Sequence, residues 1–201
     1  MKVHKRFYVA VLVSLFITAI SIFSSNEALA MAQTQTFSKI TYRHFSGTGT
    51  FIVGKDIRPG TYRTRVASRY CYYARLRGFS DTVDDIITNE ITDVSTIVTI
   101  SARDRGFQTS NCGTWTQDLS AITKSKTTFA DGTYIVGTDI KPGTYRMRKS
   151  SSDCYYARLR GFSGTIDDII ANDITSGRAI ITISARDKGF YSERCGTWTR
   201  V

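Results

Sequence analysis

The ten residues C-Y-Y-A-R-L-R-G-F-S stand at Cys71–Ser80 and again at Cys154–Ser163. The repetition reaches well beyond them. G-T-F-I-V-G-K-D-I-R-P-G-T-Y-R at Gly49–Arg63 returns as G-T-Y-I-V-G-T-D-I-K-P-G-T-Y-R at Gly132–Arg146, at the same offset of 83. At that offset Gly49–Thr116 aligns with Gly132–Thr199 without a gap, and 46 of the 68 positions are identical. A tandem duplication of this kind implies one folding unit per copy. The chain then divides into residues 1–30 as a signal peptide, 31–44 as a polar lead-in, 45–117 as the first repeat, 118–127 as a linker and 128–201 as the second repeat.

Each unit reads as all-β. Thr, Ile, Val, Tyr and Phe dominate it, and Gly or Asp-Gly signals recur every eight to twelve residues. I-R-P-G-T and I-K-P-G-T carry the Pro-Gly chemistry of a type II turn, which needs φ > 0 at Gly60 and Gly143. T-V-D-D-I-I-T-N-E-I-T reads either as a short strand and turn or as one turn of helix opened by Thr82. The expected architecture is two tandem small antiparallel β-sandwich or barrel domains.

Strand parity assigns faces. Val98, Ile100 and Ala102 are expected inside, with Ile181, Ile183 and Ala185 matching them in the second copy. In the opening string one face holds Tyr72, Ala74 and Leu76. The other holds Cys71, Tyr73, Arg75 and Arg77. An unpaired arginine is costly to bury. The arginine face is therefore expected in water, and the core is expected to take Tyr72, Ala74, Leu76 and Trp115.

All four cysteines fall in the repeats, and an even number in a secreted chain reads as a disulfide framework. Equivalent units make equivalent bonds, which selects Cys71–Cys112 and Cys154–Cys195. Each closes a loop of about 40 residues, worth roughly 4 kcal/mol of chain entropy. A unit of about 75 residues has a small core and gains much from such a staple.

The N-terminus supports secretion. A basic stretch (Lys2, His4, Lys5, Arg6) precedes the apolar run Tyr8–Phe23, and Ala28-Leu29-Ala30 follows as a cleavage signal. The apolar run is 16 residues, short for a spanning helix of about 20. No stable membrane span is expected after cleavage. Removing Lys2, Lys5, Arg6 and Glu27 lowers the net charge from +10 to +8. A basic secreted chain is biased toward acidic partners such as anionic lipids, envelope polymers, acidic glycans or nucleic acid.

The strings G-T-Y-x-V-G-x-D-I-x-P-G-T-Y-R, C-Y-x-A-R-L-x-G-F-S, D-D-I-I-x-N and C-G-T-W-T together resemble a recurring module of secreted or surface proteins in Gram-positive, especially actinobacterial-type, bacteria. The resemblance spans both copies and implies an extracytoplasmic protein. It carries over no catalytic or ligand residue. The second aromatic of the cysteine string is often Trp in that module, and here it is Tyr73 and Tyr156.

An enzyme is not expected, and no cofactor is implied. After residue 30 the chain has one histidine, His44, which lies outside the duplicated block. Asp84, Asp85, Asp167 and Asp168 recur and are weak candidates for Ca²⁺ ligands, without the D-x-D-x-D-G spacing. Their alternative roles are capping a turn or pairing with arginines. The ligand-binding candidates are Arg63, Arg65, Tyr73, Arg75 and Arg77, repeated as Arg146, Arg148, Tyr156, Arg158 and Arg160. Guanidinium forks suit sulfate, phosphate and carboxylate, and adjacent rings stack on sugars or bases. The expected function is a secreted, non-enzymatic module that binds an anionic or carbohydrate polymer of the cell envelope. The alternative is a structural, adhesive or protease-inhibitor-like protein with a protein partner, whose duplication gives valency. A small secreted hydrolase is the third reading.

Overall fold

The computed structural model describes residues 44–201. The signal peptide and all but the last residue of the lead-in lie outside the described residues. The first repeat forms β1 (His44–Ser46), β2 (Gly49–Ile52), β3 (Gly60–Thr64), β4 (Cys71–Leu76), β5 (Ile86–Thr92), β6 (Ile97–Ile100), β7 (Gly106–Ser110) and β8 (Thr114–Thr116). The second forms β9 (Thr128–Phe129), β10 (Gly132–Ile135), β11 (Gly143–Met147), β12 (Ser151–Leu159), β13 (Ile169–Gly177), β14 (Ile180–Ile183), β15 (Gly189–Glu193) and β16 (Trp198–Arg200). Each repeat has two four-stranded antiparallel sheets. They run β1-β8-β3-β6 and β2-β7-β4-β5 in the first, and β9-β16-β11-β14 and β10-β15-β12-β13 in the second. The all-β sandwich expected for each copy is therefore present. D-D-I-I is both things it was read as: a 3-10 turn at Val83–Asp85 runs straight into β5.

Each core is an aromatic cluster. Trp115 and Phe107 are fully buried and meet edge to face at 5.3 Å, with Tyr73 edge-on to Trp115 at 5.4 Å. Trp198, Phe190 and Tyr156 repeat this arrangement. Each such pair adds ~1 kcal/mol beyond area burial. Burying an indole N–H requires an acceptor. Trp115 donates to Thr109 Oγ1 at 3.0 Å, and Trp198 donates to Ser192 Oγ at 3.1 Å. Gly60 and Gly143 begin β3 and β11 with φ of 142° and 150°. The sign is as expected, but the angle is wider than the ~80° of a type II turn.

The faces of the opening string are corrected. Cys71, Tyr73, Phe107, Cys112 and Trp115 belong to one core cluster, so Tyr73 points inward. Tyr156 does the same in the second repeat. Tyr72 is only half-buried. The disulfides have the expected partners, Cys71–Cys112 and Cys154–Cys195. They sit within the cores, not on a wet arginine face. Arg75 can leave water because it is paired. Arg75 is buried, and its Nε and Nη2 donate to Asp104 at 2.7 and 2.9 Å. A second correction concerns Ala102 and Ala185. They are exposed because β6 and β14 end at Ile100 and Ile183.

The two repeats pack against each other asymmetrically. The first presents its edge strands β5 and β6. The second presents the β10 side of its sandwich and the turn at Phe162–Thr165. Thr99 N–H donates to Phe162 O at 2.6 Å, and Thr133 N–H donates to Ser95 O at 2.8 Å. Arg75 Nη1 and Thr88 Oγ1 donate to the carbonyls of Ser163 and Gly164, both at 2.7 Å. Arg63 is fully buried and meets Asp139 through both terminal nitrogens, at 3.2 and 3.0 Å. The same contact hides Ile97, which is 5% exposed, whereas its counterpart Ile180 is 63% exposed.

Candidate functional site

The ten candidate binding residues do not form one surface. Arg63, Tyr73, Arg75 and Tyr156 are buried, so none of them lies on the solvated face expected for them. Arg63 is held at the junction by Asp139 and by the Ser120 carbonyl at 3.2 Å. Arg158 is half-buried and grips Asp187 at 2.6 and 2.9 Å, as Arg75 grips Asp104. The hydrogen bonds it donates to Asp187 hold the Arg158 guanidinium above its ordinary value. These two pairs brace the loops after β6 and β14. Asp104 and Asp187 each also accept a loop N–H, from Ser101 at 2.9 Å and Ser184 at 2.8 Å.

The other five candidates, Arg65, Arg77, Arg146, Arg148 and Arg160, are exposed. Among the described residues Arg77, Arg146, Arg148 and Arg160 form no ion pair. Arg65 pairs with Asp118 at 3.0 Å and reaches the carbonyls of Ser120 and Ala121. Hydrogen bonds from Ser120 hold the Asp118 carboxyl below the usual range, and Arg65 adds to the effect. Arg65 also borders a cleft of about 450 Å³ beside the first disulfide, shared with Val66, Ser68, Gly113 and Thr114. That volume lies within the ~300–1,000 Å³ range of small-ligand sites. Arg148 is the equivalent of Arg65 in the second repeat.

Two of the four carboxylates read as calcium candidates are engaged otherwise. Asp85 accepts the Ser80 N–H and hydroxyl, and Asp168 accepts the Ser163 N–H. Asp84 and Asp167 are exposed. Among the described residues no three His, Cys, Asp or Glu side chains come together as a metal site.

A second cleft, of about 170 Å³, opens between the repeats and is lined by Tyr73, Glu90, Ile97, Tyr155, Leu159 and Tyr191. Here Tyr73 donates its hydroxyl to Glu90, and Tyr191 donates to Glu193 at 2.6 Å. Burial raises the Glu90 carboxyl above its ordinary 4.5, and nearby Glu193 raises it further. The Tyr73 and Tyr191 hydroxyls pull the other way. Burial and the Glu90 charge lift Tyr73 and Tyr191 as well. Glu90 carries no signal of its own in the sequence. Its partner on β15, Tyr191, is replaced by Gln108 in the first copy, so the repeat pattern gave no signal for it.

No helix among the described residues is long and apolar enough to cross a membrane. No curated protein and no solved structure matches the chain. One family model matches it twice, over residues 43–116 and 126–199, and that family is described as the Rv1352-like extracellular domain. The duplicated sandwich with one disulfide per copy, matched over most of its length, belongs to the Rv1352-like extracellular domain family and is an extracytoplasmic protein.

Proposed function

We propose that this protein is a non-enzymatic binding module for an anionic or carbohydrate polymer of the cell envelope or its surroundings. The observation that carries this reading is the set of exposed cations left after the ion pairs are counted. Arg77, Arg148 and Arg160 stand in solvent with no carboxylate partner among the described residues. Arg65 lies on the rim of a cleft of ligand size. Guanidinium groups in this state offer planar, paired donors to sulfate, phosphate or carboxylate. Arg77 and Arg160 occupy equivalent positions in the two repeats, so a long polymer can engage both copies and gain avidity. Tyr73 and Tyr156 take no part as ligand-stacking rings, because their rings are in the cores.

The test is binding of the secreted chain to heparin, dextran sulfate, polyglutamate and neutral dextran at low and high salt. Binding to the three polyanions that weakens with salt, and that drops at least tenfold in the Arg77→Ala, Arg148→Ala, Arg160→Ala triple variant, is expected. Equal binding by the triple variant, or no preference for polyanions over neutral dextran, would exclude the reading.

A further inference from the structure

The junction between the repeats joins two different surfaces, and a heterologous contact of this kind leaves one half of itself unused at each end. On the second repeat, the edge corresponding to β5 and β6 is open. Arg146 stands where Arg63 stands in the first repeat, and Ile180 stands where Ile97 stands. Arg63 and Ile97 are buried by the junction, while Arg146 is exposed and Ile180 is 63% exposed. On the first repeat, no described residue covers the surface corresponding to the one that receives Arg63. Asp56 stands where Asp139 stands, and it is exposed.

Asp56 is already in the receiving geometry. Its Oδ2 accepts the Ile52 N–H at 2.8 Å, just as Asp139 Oδ2 accepts the Ile135 N–H at 2.7 Å. The turn carbonyl that takes Arg75, on Ser163, has Ser80 as its counterpart. Arg158, which replaces Arg75, uses Nε and Nη2 on Asp187, so its Nη1 remains for such a carbonyl.

The substitutions between copies also complement one another. At the junction Gly164 lies against Thr88, and a Cβ on Gly164 would meet Thr88 Cγ2 at 3.2 Å. On the open surfaces both change. Asp81 brings the Cβ, and Ala171 removes the methyl that would crowd it. Asp81 keeps the left-handed conformation of Gly164, with φ of 57° against 77°. The open edge carries Arg146 and Arg178 beside Asp173, and the receiving surface carries Asp56 and Asp81 beside Lys55 and Arg58.

The geometry points to a second copy of this chain as the partner. The β13–β14 edge of one molecule docks on the first repeat of the next, repeating the internal junction. Arg146 meets Asp56, and Ile180 is covered as Ile97 is. Because the contact is heterologous, it propagates head to tail into a ring or an open chain.

Within one molecule a short linker supplies an effective concentration of the order of 1 mM. The internal junction forms at that effective concentration, so an intermolecular contact of the same strength is expected to form by ~1 mM. The test is sedimentation velocity on the disulfide-intact secreted chain from ~10 µM to ~1 mM. The weight-average sedimentation coefficient is expected to rise with concentration. Ile180→Arg and Arg146→Asp alter side chains that are already solvated, and Asp56→Asn keeps a carbonyl to accept the Ile52 N–H. All three should fold, as circular dichroism would verify, and each should weaken association at least tenfold. A chain that stays monomeric at ~1 mM overturns the proposal. So does association that survives Ile180→Arg and Arg146→Asp unchanged. The Arg77→Ala, Arg148→Ala, Arg160→Ala variant should associate like wild type, so this outcome and the polymer-binding outcome are read independently.

Discussion

Arg63 of the first repeat and Asp139 of the second meet through both guanidinium terminal nitrogens, and neither side chain is exposed. Asp139 also accepts the N–H of Ile122 in the linker at 2.9 Å, so one carboxylate ties together two sandwiches and the segment between them. Removing one partner of a buried pair leaves an uncompensated charge and costs about 3–5 kcal/mol. Arg63→Ala should lose that much in urea denaturation. Arg146→Ala, at the exposed equivalent position, should stay within ~0.5 kcal/mol of wild type. Equal costs for the two would mean that the junction does not form.

The pairs Arg75–Asp104 and Arg158–Asp187 have the same geometry but unequal surroundings. The Arg75 side chain is 8% exposed and that of Arg158 is 24% exposed. Arg75 also donates across the junction to Ser163 O. Arg75→Ala is expected to cost about 3 kcal/mol or more, and Arg158→Ala about 1–2 kcal/mol. Denaturation midpoints of the two single variants provide the comparison, and the reverse ranking would contradict the assigned role of Arg75.

Glu90 makes the junction sensitive to pH. Burial raises its carboxyl in the folded protein, so folding favours the protonated form. A group raised on folding contributes its stabilisation fully below its unfolded value of ~4.5 and loses it as pH rises through the folded value. Glu90→Gln mimics the protonated side chain. It should be more stable than wild type near pH 7, and the gap should close toward pH 4. A stability difference that does not change over this interval would contradict a raised Glu90.

The disulfides are strong staples for small units like these. Each spans 41 residues of sequence, for which loop closure is worth about 4 kcal/mol. Replacing Cys71 and Cys112 together by Ser should lower the first repeat's stability by that order. The second repeat's bridge should survive intact in peptide mapping of the same variant.

The sequence made the architecture legible because the duplication removes ambiguity. A strand pattern seen twice in 46 identical positions is hard to misread, and equivalent cysteines imply equivalent bonds. The lead strands were less visible, since they break the offset by one residue. Phe45 and Phe129, 84 apart, both lie opposite the core tryptophan, Trp115 and Trp198. The site was harder to read. Strand parity alone places Arg75 in water, because alternation along β4 does not show that Asp104, 29 residues away, is close enough to let it be buried. For Arg63 the partner Asp139 is 76 residues away, in the other copy. No strand-by-strand rule sees such a partner. Identical residues also met different fates: Arg63 and Arg146 differ only in what packs on them, which is a property of the assembled pair of repeats.

The disulfide positions govern how this protein responds to pulling. Each bridge fixes Cys71 to Cys112 or Cys154 to Cys195, so tension applied at the chain ends bypasses the residues between them. About 40 residues in each repeat, or roughly 140 Å of extended chain, are withheld from stretching even if a sandwich opens. An extracytoplasmic protein exposed to shear would therefore lengthen in short steps, and a reductant would double or triple each step.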